Sequence, residues 1–277
     1  MRIIEQSALI CDTNGYTLQD VYKDIERAAR VSYKSEDKIT EGSAEKMVQR
    51  LINMKHYSPL EFGTVYLTTD DYYIADKYVH NKYSRVAIID HMAYITTNYR
   101  VIIENNYKDH LKYLTLPTIF HSKRITGHFI TNRAVSHELV RHRSMSFMQE
   151  SQRYVAYDKG KFGSEITFIK PAWNQTKEER DLTNAVLSNI NDAYMKLREL
   201  GLKPQQARQI LPNATKTELY MCGFEDDWEH FFDLRDKDSV DPQMYSLMHP
   251  LHEDYIAYTN SLNDNLTESE ITILRHS

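Results

Sequence analysis

Residues 124–154 read RITGHFITNRAVSHELVRHRSMSFMQESQRY, and three patterns follow one another within them. Arg124 to Thr131 is rich in β-branched and aromatic residues and reads as a strand. Asn132 suits an N-cap, and the helix expected after it runs to about Arg143, with Ala134, Val135, Leu139 and His142 near one face. From Arg141 to Tyr154 the chain turns polar, with three arginines, a histidine, two carboxamides and a carboxylate close together. Guanidinium forks suit phosphates and the carbonyl edges of heteroaromatic rings. Ser151 and Arg153 lie two apart; in an extended segment they would face the same side and could grip one phosphate together. A solvated basic helix end would account for Arg141 or His142 alone. It does not account for the ordered polar run through Arg153, which points to a binding site.

Working outward, Thr17 and Asp20 open a helix through Ala29, and Ser43 opens another that ends before His56, with Pro59 beyond it. Phe62 to Thr69 reads as a strand, as do Ile166 to Ile169 and Thr215 to Cys222. Thr176 and Glu179 form a capping-box signature. The helix after it is expected to bury Leu182, Val186, Ile190, Ala193, Leu197 and Leu200, and to stop at Gly201. Shorter helices are expected from Pro204 to Leu211 and from Glu225 to Lys237, and a long one from Pro242 to Ser261. Without regular strand–helix alternation, the fold class expected is α+β with an antiparallel-type sheet. No repeat or low-complexity linker divides the chain, so residues 1–277 are expected to form a single domain. Residues 70–123, rich in Tyr and charge, resist placement.

The composition, 41% hydrophobic and 26% charged, is that of a globular core-forming chain. A net charge of −5 argues against a general nucleic-acid binder. No apolar run approaches the roughly 20 residues of a membrane span, and the N-terminus does not read as a signal peptide, so a soluble cytoplasmic protein without a membrane partner is expected. Cys11 and Cys222 are too few for a disulfide framework. The eight glycines form neither GxGxxG nor GxxxxGK[ST], so any nucleotide must be held by side chains and helix ends. His137 and His142 are five apart, about 140° round a helix, and the zincin position is Arg141, so no metal is expected.

Arg141-His142-Arg143, seven residues and then Ser151, followed by Gln152-Arg153-Tyr154, resembles the signature of flavin-dependent thymidylate synthases. Four further segments resemble that family in the same order: Ala28 to Tyr33, His56 to Glu61, Ala207 to Pro212, and Trp228 to Arg235. The resemblance spans residues 28 to 235 and implies an FAD enzyme that methylates the uracil of dUMP with methylenetetrahydrofolate and NADPH, built as a homotetramer. It implies that Ser32, Ser58, Arg141, His142, Arg143, Gln149 and His230 contact FAD. It assigns Glu138, Arg141, Gln149, Glu150, Ser151, Arg153 and Arg208 to dUMP, and Arg235 to the uracil ring as the catalytic, polarising residue.

The chain departs from the family at Phe224 and Asp226, where many members carry Asn and Arg, and residues 70–123 look like an expansion relative to shorter relatives. Two other readings compete. One is a nucleotide- or nucleic-acid-binding protein using the Arg-rich helix end; the other is a structural subunit assembling through its 20 tyrosines.

Overall fold

The computed structural model describes residues 1–11, 17–158, 165–173 and 175–264. In chain order the elements are β1 (Arg2–Ile4), β2 (Ser7–Cys11), α1 (Leu18–Val31), α2 (Ser43–Asn53), β3 (Thr64–Thr69), α3 (Tyr72–Val79), β4 (Arg85–Ile89), β5 (Met92–Asn98) and α4 (Tyr99–Glu104). They continue as β6 (Arg124–Asn132), α5 (Arg133–Leu139), β7 (Ser146–Gln149), β8 (Thr167–Ile169), α6 (Lys177–Glu199), α7 (Pro204–Ala207), β9 (Lys216–Phe224), α8 (Glu225–Arg235) and α9 (Pro242–Asp264). The architecture is α+β. A four-stranded antiparallel sheet has the order β2-β6-β9-β7, a three-stranded antiparallel sheet the order β3-β5-β4, and β1 pairs with β8 in parallel.

Local chemistry explains the element boundaries. Thr17 caps α1 with a capping box to Asp20, and Thr176 does the same for α6 with Glu179. Asn132 caps α5 by accepting from Val135 N–H at 2.9 Å. The stretch 70–123 holds a two-residue hairpin between β4 and β5, with Asp90 and His91 both in the left-handed region at φ +48° and +66°. Such a turn is usually marked by Asn-Gly, so Asp-His gave no hairpin signal.

The core of the four-stranded sheet is closed by α8 and α9. Trp228 is fully buried, and its indole N–H donates to the Ile125 carbonyl at 3.0 Å. Its ring lies so close to Gly127 on β6 that an added Cβ would come within 2.8 Å of it, so only glycine fits there. A second core joins α1 and α2 to β3 and β5 through residues such as Ile25, Val48, Leu67 and Ile95.

Two expectations are corrected. Helix α5 ends at Leu139, not near Arg143; Val140 is its C-cap, and Arg141 to Arg143 lie beyond it in a turn leading to β7. Helix α6 turns Leu187, Asn191 and Tyr194 inward, whereas Leu182, Val186 and Leu200 are exposed at 67%, 48% and 66%. A polar anchor decides the face: Asn191 Oδ1 accepts from Ile166 N–H at 2.9 Å, and that bond needs Asn191 inside. Among the described residues no helix is long and apolar enough to cross a membrane.

Candidate active site

The expected site residues fall into three groups in one chain. The first lines a cavity of about 740 Å³ between the C-terminal end of α1, helix α2 and the turn after β7. Ser32, Ser58 and Ser151 all face it, with Tyr33 and Tyr154 at its rim, their rings 5.1 Å apart. Ser151 N–H donates to the Ser32 carbonyl at 3.2 Å, which ties the turn carrying Ser151 to the end of α1.

Ser151 and Arg153 do not lie in an extended segment. Residues 152–154 form a turn in which Ser151 Oγ accepts from Arg153 N–H at 3.4 Å, so the same-side argument from strand geometry fails. The turn itself still keeps the two residues adjacent. Arg153 is exposed and sits 5.4 Å from the Tyr154 ring centre, and Arg208 is half-buried where α7 ends.

Beneath Ser151 lies an ionic network that sequence reading missed except for Glu150. Glu150 is buried and accepts from Lys216 Nζ at 3.0 Å; Lys216 also bonds Glu218 at 2.6 Å, and Lys34 pairs with Glu218. Burial alone would raise Glu218, but the Lys216 and Lys34 ammoniums outweigh it and hold the carboxyl below its usual range. Burial pushes Glu150 the other way, upward, against Lys216. Two main-chain bonds, Glu150 N–H to the Glu218 carbonyl (2.8 Å) and Ser151 N–H to the Ser32 carbonyl, fix the strand end that presents Ser151. The i, i+2 pattern Lys216, Glu218, Tyr220 on β9 was the available signal, because it puts three polar groups on one strand face. Gln149 donates its amide to Ser136 Oγ (3.0 Å) and Thr217 Oγ1 (3.1 Å), which fastens β7 to α5 and β9.

The second group is Glu138, His142 and Arg235. Arg235, the last residue of α8, does not pair with neighbouring Asp233 or Asp236. Its Nη1 donates to Glu138 Oε2 at 2.6 Å, its Nε to His142 Nε2 at 3.1 Å, and its Nη2 to the Glu138 carbonyl at 3.4 Å. One N–H remains on each terminal nitrogen for a ligand. Burial, and then the Arg235 charge, push the His142 imidazole down to about 4 from 6.5. His142 is therefore neutral near pH 7, and acceptance at Nε2 puts its proton on Nδ1. His230 is exposed on the same helix and repels a proton on His142.

His142 binds a proton less readily in the folded chain than in the unfolded one. Its stabilising share is thus present above about 6.5 and lost as pH falls through the window from 6.5 to about 4. An NMR titration should find the His142 imidazole titrating near 4, and His142→Asn should flatten the loss of stability across that window. A His142 imidazole titrating near 6.5 would contradict this.

The third group is Arg143, which lines a smaller cavity together with Phe224, one of the two positions where the family pattern is broken. The other, Asp226, pairs with Arg85 at 3.2 Å. Arg141 is exposed and lines neither cavity. No group of three or more His, Cys, Asp or Glu side chains among the described residues is placed to hold a metal ion.

The family model for thymidylate synthase complementing protein matches residues 78–254. A flavin-dependent thymidylate synthase of Geobacter sulfurreducens is 35% identical over 104 residues, covering 38% of this chain and 44% of that protein. One of Pyrococcus furiosus is 35% identical over 107 residues (38% and 42%), and one of Corynebacterium diphtheriae 32% identical over 131 residues (42% and 50%). The chain spans about half the length of the curated relatives it matches. Among solved structures, a UMP/dUMP methylase, PolB of Streptomyces cacaoi bound with 5-Br dUMP, aligns over 94% of this chain and 93% of that one at 17% identity. Its TM-score is 0.44, a likeness too loose to argue from.

Proposed function

The chain belongs to the thymidylate synthase complementing protein family, and on that footing we propose that it is a flavin-dependent thymidylate synthase making dTMP from dUMP, methylenetetrahydrofolate and NADPH through FAD. The observation that carries the reading is the Glu138–Arg235–His142 cluster, because it aims a preorganised guanidinium, with N–H groups to spare, from the residue the resemblance assigns to uracil.

The residues fit an FAD and a nucleotide. The larger cavity falls within the size range of small-molecule sites and combines serine hydroxyls with tyrosine rings, which suits a planar ring with polar edges. Ser32 and Ser58 would hold the flavin there, while Arg141, His142, Arg143, Gln149 and His230 would reach it or its copy in a second subunit. When bound, FAD supplies the electron transfer that completes the methyl group. Ser151, Arg153 and Arg208 would take the dUMP phosphate, with Glu138, Arg141, Gln149 and Glu150 around the nucleotide. Arg235 would stabilise negative charge on the uracil N3 and its neighbouring carbonyl as it develops.

The separation of these groups in one chain supports a site completed by other subunits of a homotetramer. The exposed apolar stripe of α6, through Leu182, Val186 and Leu200, offers a surface for such contacts. In the same reading residues 1–277 form a single cytoplasmic domain and 70–123 are an expansion of it.

Protein purified with added FAD should show flavin absorbance that NADPH bleaches under nitrogen; no bound flavin and no bleaching would overturn the reading. Arg153→Ala is expected to weaken dUMP by about 1.5–3 kcal/mol, the value of a charge-assisted hydrogen bond, with FAD affinity unchanged. Unaltered dUMP affinity by calorimetry would remove the phosphate assignment.

A further inference from the structure

At one end of the two antiparallel sheets is the smaller cavity, of about 200 Å³. Lys82 and Arg85 reach it from the start of β4, Arg124 from the start of β6, Phe224 from the end of β9, and Arg143 from the turn after α5. Four cations face one lining carboxylate, Asp227, which caps α8 by accepting from Phe224 N–H; Asp226, outside the lining, pairs with Arg85. Counting both carboxylates still leaves an excess of two positive charges, which matches a diphosphate.

Arg124 is the most buried of the four cations. It is 5% exposed, yet its hydrogen bonds go to neutral acceptors, the Glu61 carbonyl (2.8 Å) and Thr64 hydroxyl (3.4 Å). It makes no ion pair among the described residues, and a buried cation without a counter-charge is costly. Phe224, register partner of Arg124 across β6 and β9, does not stand open for a base. Its ring lies 4.5 Å from the Arg85 guanidinium and 5.6 Å from that of Arg124, so it serves as a platform holding both. Glu61 links the cavity to the larger one: its carboxylate accepts from Ser146 Oγ, which lines this cavity (2.5 Å), and from Arg100 Nη1, which lines the other (2.6 Å).

We propose that this cavity binds the diphosphate of the flavin dinucleotide, and that Lys82 and Arg85, supplied by the 70–123 hairpin, join Arg124 and Arg143 in holding it. The proposal rests on the flavin reading above and adds what Phe224 and Asp226 leave out: the cation is carried by the neighbouring sheet instead of the end of β9. Asp226 competes with the ligand for Arg85.

The test is fluorescence titration of the full-length protein with FAD and with riboflavin, which has the ring but no phosphate. Arg85→Ser and Arg143→Ser should each weaken FAD about 10- to 100-fold and leave riboflavin unchanged. Asp226→Asn, which creates no cavity, should tighten FAD, and ADP should compete with FAD in the wild type but not in Arg85→Ser. Equal loss of FAD and riboflavin, or unchanged FAD binding in both arginine variants, would overturn the proposal. Unchanged FAD binding with a raised KM for NADPH would assign the cavity to the nicotinamide dinucleotide instead. A wild-type protein that binds riboflavin and FAD equally would sink the diphosphate assignment alone, whereas one that binds neither would sink the flavin reading itself.

Discussion

Arg235→Ala is expected to bind FAD and be reduced by NADPH at close to the wild-type rate, yet to make dTMP about 10²–10³ times more slowly. The expected loss falls on turnover because the charge Arg235 meets grows only as the ring is attacked, so the contact strengthens toward the transition state. The Glu138 carboxylate and neutral His142 hold the guanidinium in place before substrate arrives, which is what makes a single donor effective. Arg235→Lys should recover little, since an ammonium cannot bond Glu138 and His142 while still presenting a planar fork. Removing Arg235 also leaves Glu138 unpaired, so a double variant with Glu138→Gln separates loss of the cation from gain of a repelling carboxylate. Rapid-quench measurement of dTMP under saturating substrates decides it; near-normal turnover in Arg235→Ala would end the assignment.

Trp228→Ala is expected to destabilise the protein by about 3–5 kcal/mol. The indole fills the space between β6, α8 and α9, stacks near Phe129 and Tyr255, and leaves room only for glycine at position 127. Its loss opens a cavity and strips the Ile125 carbonyl of its donor. Helix α8 also carries Arg235 at its far end, so the variant should lose turnover as well as stability. Denaturant titration measures the first effect, and a loss below about 1 kcal/mol would mean the core relaxes around the gap, against the close packing described here.

Much of this was legible in the sequence where one local signal decided the outcome. Thr17 with Asp20, Thr176 with Glu179 and Asn132 each marked a helix start that the structure reproduces. Illegible features were those decided by partners distant in sequence. The apolar letters of α6 drew the eye to Leu182 and Val186, while a single hydrogen bond from Ile166 set the buried face. The β4–β5 hairpin hid behind an Asp-His turn. The Arg-rich run marked a site by composition, but not that α5 would stop at Leu139 and send Arg141 to Arg143 in other directions than Ser151. Arg85 and Arg124 gave no sign at all, being ordinary basic residues until the ends of two sheets bring them to one cavity.

The most direct measurement is dTMP formation by the purified wild-type chain in the presence of dUMP, methylenetetrahydrofolate, NADPH and FAD, with each component omitted in turn. The account predicts dTMP in the complete mixture and almost none without FAD or without NADPH. dTMP formed equally well without flavin, or none formed by folded protein with all four components present, would contradict it.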